Sequence, residues 1–473
     1  MSNLNHQQNY NVVIVGSGFS GLAAASILAD HQLSVLMVDE NLHIGGQLLR
    51  KIPDHLGDFP GYQPDHVKKI GFAFVENVKQ KKITIMNRTN VIGIYPHNRL
   101  MLESERKEIL DITCDVLLFA TGARERFLPF KGWTLPGVYS TGMVQVMIKS
   151  SGILPAKNML IGGSGLFLFS VAYEFLKNKG HVMAVLEQSG MIDKVQMLPQ
   201  LVFQMAKVVE GGKFLSKLFF SGVSVKYRRK IVEARGNGVL EEVVVGKANS
   251  DGQLITGTEK IYKTNALAVG YGFTPNIEAP QLAGCGLEYV ASLGGWIVKV
   301  NDGLETSVPN IFAAGEITGV GGAFKSIDEG KIAALSILKK FDRLDETTYQ
   351  QQLQTWTKKR RHHLGFAHCF NSLYHVPAPA ILDIPDDTTI CRCEDITMKE
   401  VKEGIAAGYN TPQALKSGMR LTMGNCQGRT CGPVIYDILS AVTGKSAEVN
   451  GLFNVRPPLK PVSIDALANF QEN

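Results

Sequence analysis

Residues 11–40 read NVVIVGSGFSGLAAASILADHQLSVLMVDE, and the order of residue types in this stretch decides the fold. The apolar run Val12–Val15 has the composition of a buried parallel strand, and LAAASILA that of the helix after it. Between them Gly16, Gly18 and Gly21 are spaced as GxGxxG. The first glycine permits a tight turn, the second lets the backbone approach a pyrophosphate, and the third lets helix and strand pack closely. The phosphates then face the free N–H groups at the positive end of the helix. A second apolar strand, SVLMVD, ends in Asp39, where a carboxylate can take adenosine ribose hydroxyls. Strand, loop, helix, strand and acid together predict a dinucleotide-binding fold. In the IGGQ that follows (44–47), Gly46 and Gln47 give a ligand room beside the backbone.

The far end of the chain selects the dinucleotide. In TSVPNIFAAGEITGVGG (306–322) a short strand ends in Gly315 and Glu316. In two-dinucleotide flavoproteins such a segment lies beside the flavin and its acid, usually Asp, binds the ribityl chain. AFKSIDEGKIAALSIL then reads as a helix whose positive N-terminal end stabilises negative charge on a reduced isoalloxazine. DVLLFATGARE (115–125) supplies the third piece, an apolar strand ending at Thr121 and Gly122. Three pieces in this order predict FAD.

Residues 158–187, NMLIGGSGLFLFSVAYEFLKNKGHVMAVLE, repeat the pattern. Gly163 and Gly165 hold the first two glycine positions and Glu187 ends the second strand, but Leu168 stands at the third position. No arginine adjoins Glu187, which disfavours NADP. An adenine nucleotide, NAD or ATP, and a retained fold without a working site both remain open for this unit. The expected organisation is α/β: an FAD-binding domain over 1–150 that returns over 269–342, and a second nucleotide-binding domain inserted at 151–268. No cysteine lies between Cys114 and Cys285 or within IGGQLLRK, so thiol–disulfide exchange has no dithiol near the flavin.

Four of the seven cysteines fall in the last fifth of the chain, as C-x-C-x32-C-x4-C: Cys391 and Cys393 in CRCEDI, Cys426 and Cys431 in GNCQGRTCGP. Structural zinc usually draws on C-x2-4-C knuckles. A one-residue spacer suits two irons with separate ligand positions better, and four cysteines are the ordinary set for a [2Fe–2S] cluster. That cluster is preferred over zinc for a small helical domain at 387–473. Before it, 343–386 reads as a helical linker; its His362, His363, His368, Cys369 and His375 read as positions on a partly exposed helix, because adjacent histidines point to different faces.

The 473 residues have room for several cores, and 48 glycines exceed the roughly 7% average, as nucleotide loops require. A net charge of +6 is too small to suggest nucleic acid. MSNLNHQQNY lacks the basic and apolar regions of a signal peptide, and no apolar run approaches a membrane span. Clustered cysteines in such a chain suggest thiolate ligands in a reducing, cytoplasmic setting.

With ATGARERFLPFKGWTLPGV (120–138), LGGWIV (293–298), AAGEITGVGGAF (313–324) and the cysteine segment 391–433 laid out, the chain resembles a family over nearly its whole length. That family comprises the larger flavoprotein chains of octopine and nopaline oxidases (their A chains), the B chain of hydrogen cyanide synthase and the α chains of dye-linked proline and hydroxyproline dehydrogenases. The C-terminal segment is similar to bacterioferritin-associated ferredoxin. The resemblance implies one component of a heteromeric enzyme. In such enzymes a separate β subunit, an amine-oxidising flavoprotein, oxidises the substrate's C–N bond, and electrons leave through the α-type chain to a respiratory or ferredoxin-like acceptor. Such an acceptor would bring the chain to the inner membrane from the cytoplasmic side. The resemblance admits an FMN at the interface between subunits and a further small subunit, and it supplies no catalytic residue here. Two other readings stay open: a self-contained NADH-dependent reductase, and a flavin-bearing scaffold without catalysis.

Overall fold

The computed structural model describes residues 9–50, 66–190, 205–374 and 376–470; of the residues singled out above, His375 lies outside these. Asn9–Val15 forms the centre of the first sheet, with Val12, Val13 and Ile14 fully buried. It pairs in parallel with Val35–Val38 on one side and with Ile109–Phe119 on the other. Thr84–Met86 extends the parallel part beyond Val35–Val38. Beyond Ile109–Phe119 the sheet turns antiparallel through Arg99–Glu103 and Asn90–Tyr95. Ile311–Ala313 arrives from far along the chain and joins the end of Ile109–Phe119 in parallel. This pairing brings Gly315 and Glu316 to the same edge as the first glycine loop. The helix Phe19–Leu28, which carries Leu22 and a run of buried alanines, packs against the helix Ala323–Lys340.

The second sheet is wholly parallel, in the order Ser224–Tyr227, His181–Glu187, Asn158–Gly163, Leu267–Gly270, Val138–Ser140. The helices Thr141–Ser151 and Phe167–Lys177 cover one face through Val144, Ile148, Val171 and Phe175. On the other face lies an antiparallel three-stranded sheet, Arg229–Arg235, Glu242–Ala248 and Leu254–Lys263.

Glu346–Ser372 is one helix, capped at its start by the Asp345 carboxylate, which accepts from Thr348 N at 2.9 Å. The C-terminal region follows as a short strand pair, Thr389–Cys391 with Ile396–Thr397, and the helices Met398–Ala406, Pro412–Met419 and Gly432–Thr443. Thr397 and Glu400 form a capping box at the first of these helices. Its core is continuous with the second unit: Leu128, Phe130 and Trp133 share a buried cluster with Ile390, Val401, Leu415 and Ile435. The Trp133 indole N–H donates to Thr389 O at 2.7 Å, and Arg126 pairs with Asp437.

Candidate functional site

The first glycine loop has the contacts its spacing anticipates. A Cβ on Gly21 would stand 2.0 Å from Gly16 O, so helix and strand meet there only because the side chain is absent. A Cβ on Gly18, at the start of the helix, would meet no atom within 4 Å. Gly18 therefore faces open space at a helix N-terminus, the room a phosphate needs. The IGGQ segment folds over this loop: Gly45 N donates to Ser17 O at 3.0 Å, and a Cβ on Gly46 would lie 2.9 Å from Gly18 Cα. Gln47 is exposed.

Asp39 is buried where the second strand ends, and its carboxylate is engaged with its own loop. Oδ2 accepts from Ser17 N at 2.7 Å and from Ser17 Oγ at 2.6 Å, while Oδ1 accepts from Asn41 N and Nδ2, both at 2.8 Å. A ribose hydroxyl reaching Asp39 has to displace one of these side-chain donors. The neighbouring Glu40 is contacted by Lys460 from the C-terminal tail.

Thr121 and Gly122 sit where Ile109–Phe119 ends. Thr121 Oγ1 donates to Asn276 O at 2.8 Å and Asn276 Nδ2 donates back to Thr121 O at 2.8 Å. This exchange ties the outgoing strand to the returning chain. A Cβ on Gly122 would again meet nothing within 4 Å.

Gly315 and Glu316 are held by side chains that the motif reading missed. The Glu316 Oε1 accepts from Gly322 N at 2.8 Å and from Ser326 Oγ at 3.2 Å, so this acid caps the helix Ala323–Lys340. Beneath it lies a fully buried ion pair, Lys325 with Glu329 at 2.9 Å. Lys325 Nζ donates to Gly315 O at 2.6 Å and Gly319 O at 2.9 Å. Glu329 Oε2 accepts from Gly315 N at 2.8 Å and Thr318 Oγ1 at 2.6 Å. Arg360, from the long helix, donates to Glu329 Oε1 at 2.7 Å. Burial alone would raise the Glu329 pKa, but the Lys325 and Arg360 charges hold it below its ordinary value. His363 pairs with Asp328 at 2.9 Å and His368 with Ser292 at 2.7 Å, so these two histidines serve packing contacts separately.

In the second glycine loop the acid takes the amide of the second glycine, while a Cβ on Gly165, as on Gly18, would meet nothing within 4 Å. Gly165 N, which would meet a pyrophosphate, instead donates to Glu187 Oε2 at 3.1 Å. Glu187 Oε1 accepts from Ser189 N at 3.0 Å and Oγ at 2.9 Å, and the side chain is fully buried. Leu168 is buried in the apolar layer with Val171 and Ile161. From outside, Tyr374 O accepts from Ser164 Oγ at 3.4 Å. Gly163 packs under Gly270, with 2.0 Å between a would-be Cβ and Gly270 O.

The four C-terminal cysteines come together. Cys431 Sγ donates to Cys391 Sγ at 3.8 Å, and Cys426 interacts with both Cys431 and Cys393. A Cβ on Gly424 would stand 2.2 Å from Cys393 Cβ, so the two cysteine turns can meet only across a glycine. Around them Asp395, Arg420, Thr422 and Gln427 all have positive φ. Thr422 at φ +70° is β-branched and its buried hydroxyl has no partner, so this turn is held under strain. The hydrogen bond from Cys431 draws Cys391 down to about 6 and Cys426 down to about 4, while Cys431 itself is pushed up. Burial pushes Cys114 up to about 12 and also raises Cys285. Among the described residues no three His, Cys, Asp or Glu side chains converge as a site for one metal ion.

A two-dinucleotide fold with an open first loop defines a class, and comparison with known proteins agrees. Residues 10–345 match the pyridine nucleotide-disulphide oxidoreductase family, and residues 387–470 match the sarcosine oxidase A3 domain. The chain belongs to the first of these families and is an FAD-dependent oxidoreductase. It is 30% identical over 464 residues to hydrogen cyanide synthase subunit HcnB of Pseudomonas protegens, covering 96% of this chain and 97% of that protein. It is 27% identical over 480 residues to the A chain of the opine oxidase of Rhizobium meliloti, covering 98% and 99%. L-proline dehydrogenase from P. horikoshii shares the fold, with a TM-score of 0.71 at 20% identity over 98% of this chain and 80% of that one. Among the described residues no helix is long and apolar enough to cross a membrane.

Proposed function

We propose that this chain is the FAD- and [2Fe–2S]-bearing electron-transfer subunit of a heteromeric dehydrogenase or oxidase acting on the C–N bond of an amino acid or opine. The observation that carries this reading is the meeting of the C-x-C and C-x4-C turns. The 3.8 Å between Cys391 and Cys431 sulfurs equals the roughly 3.8 Å expected for two thiolates about 2.3 Å from one tetrahedral metal. A [2Fe–2S] centre asks for only two thiolates at each iron. Pairing Cys391 with Cys431 and Cys393 with Cys426 meets that demand.

FAD would be held by Gly16, Gly18, Gly21, Asp39, Gly46 and Gln47 at the first loop, and by Thr121, Gly122, Gly315 and Glu316 at the second edge. When bound, it would take up an electron pair and release single electrons to an iron–sulfur centre. Gly18 would leave the helix N-terminal amides bare for the pyrophosphate. Lys325 and Glu329 would fix the turn presenting Glu316. The Gly163, Gly165 and Glu187 loop would take no part in hydride delivery. Substrate oxidation would fall to a partner flavoprotein, in keeping with relatives that are themselves subunits. The electrons would go to a respiratory or ferredoxin-like acceptor in the cytoplasm, and FMN at the partner interface is compatible with this arrangement.

Purification without oxygen tests the proposal. The chain should carry about two irons and two sulfides per flavin. Cys426→Ala should lose the iron and keep the flavin, because Cys426 is not among the residues that would hold the flavin. Stoichiometric zinc without iron, in protein made with ample iron, would overturn it.

A further inference from the structure

A cavity of about 270 Å³ lies between the cysteine turn and the strand pair beside Thr121 and Gly122. One wall is Gln427, Gly428 and Arg429; the opposite wall is Thr274 and Pro275, whose strand pairs with Ala123–Glu125. None of the residues expected to hold a cofactor lines it. At the lower edge of the roughly 300–1,000 Å³ typical of ligand sites, it is too small for a dinucleotide.

Its charge is unbalanced. Arg124, Arg126, Lys416, Arg429 and Arg456 line it against only Glu278 and Asp437. Half of the chain's formal net charge of +6 therefore gathers at one cavity. The carboxylates are already committed, Glu278 to Arg124 at 2.6 Å and Asp437 to Arg126. Arg429 spends its guanidinium on Leu459 O at 2.6 Å and Gln427 Oε1 at 3.2 Å. Lys416 has only Asn454 O, at 2.7 Å, and Arg456 makes no ion pair among the described residues. Burial and the Arg456 charge both lower the Lys416 pKa, the mark of two like charges held together without a counter-ion. Four aromatic side chains also line it, among aliphatic and proline residues. Tyr289 and Trp296 meet edge to face at 5.7 Å, and Tyr436 and Phe453 lie at 5.2 Å. The Trp296 indole Nε1 is buried with no hydrogen-bond partner, leaving a donor to be satisfied.

We propose that this cavity binds a small aromatic or unsaturated anion, a carboxylate or a phosphate monoester. Its charge would sit between Lys416 and Arg456 and its flat body against Trp296 and Phe453. The site is independent of the electron-transfer reading, since none of its contacts needs iron or flavin.

The test is calorimetric and fluorescence titration of the full cofactor-loaded chain with phenyl phosphate, benzoate and inorganic phosphate. At least one aromatic anion should bind saturably with Kd below about 1 mM and change tryptophan emission. Lys416→Gln with Arg456→Gln should weaken it at least about tenfold, the loss of some 1.4 kcal/mol. Trp296→Phe should remove the emission change. Flavin content and Tm of each variant establish that it has folded. Preference for phenyl phosphate assigns the ligand to phosphate esters, and preference for benzoate to carboxylates. Absence of saturation by either, a double variant that binds as tightly as the parent, or inorganic phosphate binding as tightly as phenyl phosphate would each overturn the assignment.

Discussion

At Gly18 the backbone is ordinary, with φ −68°, and a Cβ would meet nothing within 4 Å. The Cβ of a valine there has space in the protein, while its side chain stands where a ligand phosphate would approach. Gly18→Val should therefore fold with unchanged Tm and lose its flavin, read as absorbance near 450 nm. Full flavin occupancy would show that the phosphates do not lie at this loop. Gly21→Val differs, because its Cβ would strike Gly16 O at 2.0 Å. Forcing helix from strand should cost about 1–3 kcal/mol or more and appear as a lower Tm whether or not flavin is present. Cys114 is free and buried in the same apolar cluster as Cys285, and Cys114→Ala should retain both flavin and iron. The close packing at Gly16 and Gly21 was legible from spacing, since it depends on a local strand–loop–helix geometry. The state of Asp39 was not. Its position at a strand end could be read, but its engagement with Ser17 and Asn41 depends on how the turn closes around it.

The helix Ala323–Lys340 shows why an element can be foreseen while its internal chemistry stays hidden. The segment AFKSIDEGKIAALSIL reads as a helix from its place after Gly315 and Glu316. The Lys325 and Glu329 pair, four residues apart, has the spacing of a surface ion pair worth a few tenths of a kcal/mol. Here both side chains are fully buried, because Phe19–Leu28 packs on one side and the long helix lays Arg360 on the other. No local pattern joins Arg360 to Glu329 across the chain. Lys325→Met leaves Glu329 with the Arg360 charge and its Gly315 and Thr318 donors, and frees the Gly315 and Gly319 carbonyls, a change of about 3–5 kcal/mol for a broken buried pair. It should weaken FAD retention at least tenfold and shift the flavin spectrum; unchanged retention would deny the turn its role. Because Glu329 has a lowered folded pKa, its stabilisation is fully present above the ordinary 4.5 and is lost as pH falls through the lower folded value. Flavin release followed by fluorescence should accordingly steepen below about pH 4.5, and Glu329→Gln should remove that acid step.

Across the whole molecule the two dinucleotide folds have diverged in which loop amide the acid takes, Ser17 N for Asp39 and Gly165 N for Glu187. Both repeat strand, glycine turn, helix, strand and acid, and that repetition was plain in the sequence, as was Leu168 in place of the third glycine. In the structure that leucine joins the apolar layer, and Glu187 turns inward onto Gly165 N. The chain after the long helix then lays Tyr374 O on Ser164. Sequence could not reveal this cover, because residues 164 and 374 are brought together only by the path of that helix. A nicotinamide nucleotide whose pyrophosphate takes the Gly165 amide must break the Gly165–Glu187 bond. It must then hold the nicotinamide against the flavin, where small misplacements cost orders of magnitude in rate. In anaerobic stopped-flow, NADH should therefore bleach the flavin of the isolated chain far more slowly than a typical turnover of roughly 10 per second, with NADPH no faster. An amine substrate with its partner flavoprotein should reduce the flavin, and the substrate alone should not. Rapid bleaching by NADH would mean that the Gly165–Glu187 bond gives way to the nucleotide, and would replace the electron-relay reading with a self-contained reductase.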